Sequence, residues 1–131
     1  MVTFNAPEMN TYFGKRFEGV VRDEFVPVLF PSYHVGKWWH KGNEVDIVAL
    51  NEQKKHLVFF ECKWMDLTYR QSEKLLETLQ EKTVLVPWQN NERKEQYGLV
   101  ARRIDQKERL RGNGFLAYDL RDWKKTLTSP G

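Results

Sequence analysis

Two apolar stretches, residues 44–50 (EVDIVAL) and 58–64 (VFFECKW), decide how this chain folds. Both are rich enough in Val, Ile, Leu and Phe to be buried strands, and the polar break between them predicts a hairpin. Each stretch nevertheless carries charge: Asp46 lies in the first, and Glu61 and Lys63 lie in the second. Charged side chains are almost never fully buried unless they are paired or bind a metal. We therefore expect the chemistry of this protein where the two strands meet.

The alternation of side chains along a strand brings these charges together. Glu61 and Lys63 are two residues apart and so point to the same face, and Asp46 reaches that region if the strands pair. Two carboxylates and one ammonium suit the task of holding a divalent cation and a water against a phosphate. The alternative is an internal salt bridge among the same three residues, which leaves one surplus negative charge.

Length and composition indicate a single domain over residues 1–131, with 40% hydrophobic residues available for its core. No apolar run approaches the roughly 20 residues that cross a bilayer, and the N-terminus lacks the features of a signal peptide. One cysteine allows no internal disulfide. These observations predict a cytoplasmic protein with no membrane segment. The net charge of +3 permits an anionic partner without requiring one.

The order of predicted elements is α-β-β-β-α-β, followed by a β-containing tail. Short connections between the first three strands predict a meander, and the order implies an α/β domain with a mixed sheet. Pro27 is expected to break the last turn of the long first helix. The predicted helices are residues 8–29, 68–82, 104–111 and 122–127, and the predicted strands are residues 32–40, 44–50, 56–64, 83–86, 97–101 and 115–120.

Asp46, followed fifteen residues later by Glu61-Cys62-Lys63 on the second and third strands, resembles the PD-(D/E)xK nuclease superfamily. A closer resemblance is to the C-terminal domain of a group of archaeal ATPases, which is itself similar to that superfamily. It covers almost the whole chain and implies a restriction-endonuclease-like α-β-β-β-α-β core, with a mixed central sheet flanked by helices. Val45 departs from the proline in the superfamily's name. Further local cues for the resemblance are Trp38-Trp39, Gly114-Phe115 and Tyr118-Asp119-Leu120.

The resemblance implies a nuclease that acts on DNA and uses Mg²⁺ or Mn²⁺ as cofactor. Asp46 and Glu61 would ligate the metal, and the backbone carbonyl of Cys62 would add a ligand. Lys63 would orient or help deprotonate the attacking water, or stabilise the pentacovalent phosphate. The superfamily often adds an acidic residue from the first helix, and Glu18 is the position carried over here. A solvated helix residue is the equal alternative for Glu18.

Two functional hypotheses remain open from the sequence. The first is a metal-dependent endonuclease, for which a homodimer is expected because cutting both strands of a duplex is simplest with two sites. The second is a non-catalytic module that binds DNA or a protein, forming the C-terminal part of a larger ATPase. An ATPase domain would then be a partner in cis or in trans. This chain contains no Walker-type glycine loop, so it cannot itself be the ATPase.

The other conspicuous residues have structural interpretations beside their functional ones. Cys62 alternates away from its two charged neighbours, so its side chain is expected in the core. The tryptophans could stack on bases, although core packing is expected for at least two of them, and Trp64 is the best candidate for the rim of the site. Basic residues between positions 93 and 111 alternate with acidic ones, which favours a mixed solvated surface. The residues concerned are Trp38, Trp39, Trp64 and Trp88, and Arg93, Lys94, Arg102, Arg103, Lys107, Arg109 and Arg111.

Overall fold

The helices and strands of this protein appear in a computed structural model that describes residues 5–128. The first helix, α1 (Ala6–Val20), continues through a π-helical segment (Val21–Phe25) into a short helix, α2 (Val26–Leu29). The terminal residues 1–4 and 129–131 of the predicted domain lie outside the described residues. The remaining elements are β1 (His34–His40), β2 (Asn43–Asn51), β3 (His56–Leu67), α3 (Tyr69–Thr83), β4 (Lys94–Ile104), α4 (Lys107–Gly112), β5 (Leu116–Tyr118) and α5 (Leu120–Thr128).

The long first helix begins at a capping box and continues through Pro27, contrary to the predicted break. The Glu8 N–H donates to the Asn5 side chain at 2.8 Å, and the Asn5 N–H donates to the Glu8 carboxylate at 3.1 Å. Near the other end, the Val26 N–H bonds to the Val21 carbonyl five residues back, which is the π-helical pattern. The wide turn therefore lies directly before a proline that has no N–H to continue the helical ladder.

Five strands form one mixed sheet in the order β1-β2-β3-β4-β5. The first three strands pair antiparallel, which confirms the predicted meander. β3 and β4 pair in parallel, as do β4 and β5. A parallel pair needs a crossover connection, and α3 and α4 supply the two crossovers. The predicted α/β class, with a mixed sheet flanked by helices, is confirmed.

Helices cover both faces of the sheet. On the face that we call the α1 face, Phe17 and Phe25 pack against Phe60 of β3, and Trp123 of α5 joins the same cluster. On the opposite face, the α3 face, Leu76 and Leu79 of α3 are buried against the sheet. Each fully buried side chain of this size contributes roughly 1.5–3 kcal/mol of burial free energy. Among residues 5–128, no helix is both long and apolar enough to span a membrane.

The strand predicted at residues 83–86 is wrong. α3 ends at Thr83, and the following residues form a turn that leads into Pro87. The buried guanidinium of Arg93 donates to the carbonyls of Thr83 (2.8 Å), Val86 (2.6 Å) and Trp88 (3.0 Å), and so holds this segment in a turn instead of a strand. The fourth strand of the sheet is β4, which is longer at both ends than the predicted residues 97–101.

The C-terminal elements are shifted relative to their predicted bounds because Asp119 ends β5. Its buried carboxylate accepts from the Ile104 N–H at 3.3 Å, from Lys107 at 3.1 Å and from the Arg121 guanidinium at 2.8 Å. The Arg121 N–H also donates to it at 3.1 Å, which starts α5 two residues earlier than predicted. Asp119 therefore joins the end of β4, the start of α4 and the start of α5.

Gly98 lies where three strands approach closely. It pairs with Phe60 on one side and Leu116 on the other. A Cβ atom at this position would lie 2.7 Å from the Phe60 ring and 2.8 Å from the Leu116 Cβ. Neither neighbour is the far end of a flexible chain, so glycine is required at this position by the packing of the α1 face.

We expect Gly98→Ala to lower the free energy of unfolding by about 1–3 kcal/mol, because the added methyl overfills a packed core. The matched control is Gly14→Ala in α1, where a Cβ meets no atom within 4 Å. That change should raise stability by about 0.5–1 kcal/mol through helix propensity. Urea unfolding of both variants measures the effects, and equal stability changes would contradict the packing argument.

Candidate active site

β2 is irregular at Asp46. Residues two apart on a regular strand share a face, yet Val45 packs on the α3 face and Ile47 on the α1 face. The register between β1 and β2 shifts at the same level, and the pairing of β2 with β3 extends only as far as Ile47 and Phe60. This bulge directs the Asp46 side chain into the gap that opens between β2 and β3.

At this gap, the Asp46 carboxylate accepts a hydrogen bond from a backbone N–H that has no partner on β2. The Cys62 N–H donates to Asp46 Oδ2 at 2.9 Å, where a regular ladder would have used a carbonyl of β2. The N–H and carbonyl of one strand residue point to the same side, so the Cys62 carbonyl also faces the gap. The Cys62 side chain packs on the α1 face, as its alternation predicted. Burial, followed by the nearby Asp46 charge, raises the pKa of its thiol well above the ordinary value.

Glu61 enters the same region from the α3 face. Its side chain is 13% exposed, and Asp46 is 7% exposed. Burial raises the pKa of both carboxyls above their ordinary values, and the Asp46 charge raises that of Glu61 further. The Asp46 charge thus disfavours ionisation of a largely buried Glu61, which is the electrostatic setting that a bound cation relieves.

Lys63 lies two residues further along β3 and on the same face as Glu61. It borders a groove between β3 and α3 and is half-buried. Its positive charge acts to lower the pKa of Glu61. Among the described residues, no carboxylate oxygen lies within 4 Å of its ammonium. Lys63 is therefore near the acidic pair without being locked into a salt bridge with it.

Glu18 faces the site from the helix side. It accepts from Lys37 of β1 at 3.1 Å and pairs with Arg22, one helical turn away, at 3.6 Å. Its negative charge acts to raise the pKa of Asp46. Glu18 thus belongs electrostatically to the acidic group, although its carboxylate is already engaged by two cations.

Two lysines lie at the site that were not predicted from the sequence. Lys82, near the end of α3, pairs with Glu61 Oε2 at 3.4 Å and donates to the Glu44 carbonyl at 2.9 Å. Lys37 joins Glu18 to the Glu44 carboxylate, which is 3.7 Å away. Lys82 follows Leu79 by three residues, and this helical spacing was the available signal that it faces the sheet.

The available ligand set is small. Among residues 5–128, no group of three or more His, Cys, Asp or Glu side chains is arranged to hold a metal. Asp46 and, by strand geometry, the Cys62 carbonyl face the gap, and Glu61 approaches it from the α3 face. Magnesium prefers oxygen ligands and keeps several waters, so two carboxylates and a carbonyl are compatible with it when substrate supplies further oxygens.

The tryptophans divide as the sequence predicted. Trp64 packs against Phe17 with ring centroids 5.2 Å apart and carries the Arg102 guanidinium 5.5 Å from its centroid. Trp38 and Trp88 pack on the α3 face, whereas Trp39 on the edge strand is 71% exposed. Core packing of at least two tryptophans is therefore confirmed.

The basic residues of the C-terminal half form a mixed surface, as predicted. Arg93 pairs with Glu95, Lys107 pairs with Asp119 at 3.1 Å, and Arg102 pairs at 2.8 Å with Asp66. Arg102 and Lys107 are neutralised by neighbouring carboxylates, which agrees with a mixed surface, whereas Arg93 is buried and so departs from the predicted solvated surface.

We expect Glu61→Gln to raise stability at neutral pH in the absence of divalent metal. The folded state raises the pKa of Glu61 above 4.5, so the folded protein holds this proton more tightly than the unfolded chain does. The destabilisation from Glu61 therefore appears as pH rises through 4.5 and is complete above the raised pKa. Urea unfolding between pH 4 and 8 should show a difference between variant and wild type that grows with pH.

The matched control for that titration is Glu52→Gln, in the exposed turn between β2 and β3. Its difference from wild type should stay flat over the same range. A Glu61→Gln difference that is independent of pH would contradict the raised pKa.

Two solved structures are similar to this fold. The crystal structure of a repair endonuclease from Pyrococcus abyssi aligns with 91% of this chain and 48% of its own, at 12% identity and a TM-score of 0.50. The structure of an EndoMS–dsDNA2 complex aligns with 90% of this chain and 45% of its own, at 16% identity and a TM-score of 0.46. The first similarity shows a shared fold.

A curated relative is the uncharacterized protein MJECL04 of Methanocaldococcus jannaschii. It is 34% identical over 123 residues, an alignment that covers 88% of this chain and 27% of the relative. This chain therefore spans about a quarter of that relative's length. The model of the DUF234 family, described as archaea bacterial proteins of unknown function, matches residues 1–75. Because that match covers more than half of the chain, this protein belongs to the DUF234 family.

Proposed function

We propose that this domain is a metal-dependent nuclease of the PD-(D/E)xK type that hydrolyses phosphodiester bonds in DNA. The observation that carries the proposal is the buried pair of Asp46 and Glu61 at the point where β2 and β3 separate. The fold shared with a repair endonuclease supports the proposal at the level of architecture. Lys63 beside this pair supplies the third group that the chemistry needs.

The internal salt bridge, the structural alternative from the sequence, explains this arrangement poorly. Asp46 has a backbone N–H as its hydrogen-bond partner, and among the described residues no cation lies within 4 Å of it. Glu61 pairs with Lys82 and not with Lys63. A buried carboxylate without a cation costs several kcal/mol in real proteins. A cation bound between the two carboxylates would remove that cost.

In this proposal Asp46 and Glu61 hold Mg²⁺ or Mn²⁺, and the Cys62 carbonyl is a further ligand. A metal held there would supply an activated water and would neutralise charge on the phosphate. The Asp46 carboxylate is held in place because one of its oxygens is bonded to Cys62 N–H. The Lys63 ammonium would orient the attacking water or donate to a non-bridging phosphate oxygen. Glu18 would tune the charge of the site through its effect on Asp46.

A second candidate is a non-catalytic module that binds DNA or a protein within a larger ATPase. The observation that favours it is the length of the relative, of which this chain spans 27%. In that case the acidic pair is retained without turnover. The homodimer and the cytoplasmic location stay predictions under either function.

We expect wild-type protein to cleave plasmid or branched DNA with Mg²⁺ or Mn²⁺ and to lose cleavage in EDTA. Asp46→Asn, Glu61→Gln and Lys63→Met should each lower the rate by about a hundredfold or more, because each removes several kcal/mol of transition-state stabilisation. Gel assays at matched protein concentration measure the rates, and calorimetric titration with Mn²⁺ measures metal binding separately.

The matched control for these variants is Glu52→Gln, which removes a carboxylate far from the gap along the sheet. It should cleave at the wild-type rate. Metal binding without cleavage in the wild type would favour the binding module. Cleavage that survives in Asp46→Asn would place the active site elsewhere.

A further inference from the structure

A groove beside the candidate active site is lined by basic side chains. It lies between the end of β3 and the start of α3 and has a volume of about 550 Å³. Its cations are Lys63, Arg70 and Lys74, and its polar residues Thr68 and Gln71 are uncharged. Within the part of the chain that the structure describes, no acidic residue lines it. Its floor is apolar, formed by Met65, Leu67 and Leu75.

Among the described residues, no carboxylate forms a close ion pair with the cations of this groove, although Lys63 lies near the Glu61 charge. Among residues 5–128, neither Arg70 nor Lys74 has a carboxylate oxygen within 4 Å, and the same holds for Lys63. Elsewhere on the described surface many cations are paired, including Arg102 with Asp66 and Lys82 with Glu61. Three unpaired cations around one groove leave a local positive potential that fits an anionic chain.

The two helical cations are placed to act together. Arg70 and Lys74 are four residues apart on α3 and therefore lie on one face of the helix, one turn above the other. Their helix is anchored at its start, since the Thr68 hydroxyl accepts from the Gln71 N–H at 3.1 Å, and the Gln71 side chain accepts from the Thr68 N–H at 2.9 Å. The pair is thus presented from a rigid element next to Lys63.

We propose that this groove binds the sugar–phosphate backbone of the nucleic-acid strand that enters the active site. This rests on the proposed nuclease function, because Lys63 borders both the groove and the acidic pair. From Lys63 to Leu67, β3 spans at most about 13 Å, a length over which a nucleic-acid strand presents more than one phosphate. Arg70 and Lys74 contact phosphates, and the apolar floor at Met65 packs against sugars or bases.

The test measures DNA binding without chemistry. Fluorescence anisotropy in EDTA follows a labelled DNA duplex and a labelled single strand as salt is raised. Arg70→Gln/Lys74→Gln should bind several-fold more weakly than wild type at low salt. On duplex DNA the slope of log affinity against log salt should fall by about 1.8, from roughly 0.9 for each lost phosphate contact.

The matched control is Lys15→Gln/Arg16→Gln on α1, which removes the same charge from two exposed residues outside the groove. It should keep the wild-type slope. The charge-retaining variant Arg70→Lys/Lys74→Arg should recover most of the binding and excludes a folding defect. An unchanged slope in Arg70→Gln/Lys74→Gln, or an equal loss in the control, would overturn the proposal.

The outcomes distinguish DNA binding in the groove from nuclease activity at the acidic pair. If wild type binds DNA through Arg70 and Lys74 but never cleaves with metal, the groove stands and the nuclease function fails. If wild type cleaves and Arg70→Gln/Lys74→Gln cleaves equally well at subsaturating DNA, the nuclease stands and the groove is wrong. Polyglutamate that displaces the DNA at equal charge concentration would point to an acidic protein partner and overturn the choice of nucleic acid.

Discussion

The candidate site depends on the hydrogen bond from the Cys62 N–H to the Asp46 carboxylate. β2 and β3 must separate for the Asp46 carboxylate to lie between them, and separation deprives the Cys62 backbone N–H of its strand partner. Leaving that donor unsatisfied would cost about 1–3 kcal/mol. The bulge in β2 turns Asp46 toward the donor, so one side chain both closes the end of the ladder and occupies the site. The gap therefore depends on the same carboxylate that occupies the candidate site.

Lysines neutralise some, but not all, of the acidic residues around that hydrogen bond. Lys82 reaches Glu61 from α3, and Lys37 reaches Glu18 from β1. Each lysine neutralises an acid at the periphery, whereas Asp46 at the centre keeps only a backbone partner. A surplus negative charge thus remains in the most buried part of the cluster. The cations reduce the cost of assembling four acidic residues without cancelling the potential that would attract a divalent ion.

Much of this arrangement could be predicted from the sequence because its determinants are local. Two apolar runs joined by a short polar turn specify the hairpin, and strand alternation places Glu61 and Lys63 on one face. Contacts between separate elements could not be predicted from such local patterns. The Val-rich residues 83–86 have the composition of a strand, yet the Arg93 guanidinium, seven to ten residues later in the chain, donates to the Val86 and Thr83 carbonyls and holds them in a turn. Lys82 contacts Glu61 across 21 positions, and no sequence pattern pairs those two residues.

The orientation of Cys62 determines which substitutions its position can accept. Its side chain packs on the α1 face, whereas its N–H, and by strand geometry its carbonyl, face the gap. The groups that serve the gap are main-chain atoms, which every amino acid except proline supplies in full. Evolution can therefore exchange the cysteine for other small apolar residues under packing constraints alone. The side chain in the middle of the Glu61-Cys62-Lys63 triplet can therefore change, within the limits of core packing, without altering the main-chain atoms that face the gap.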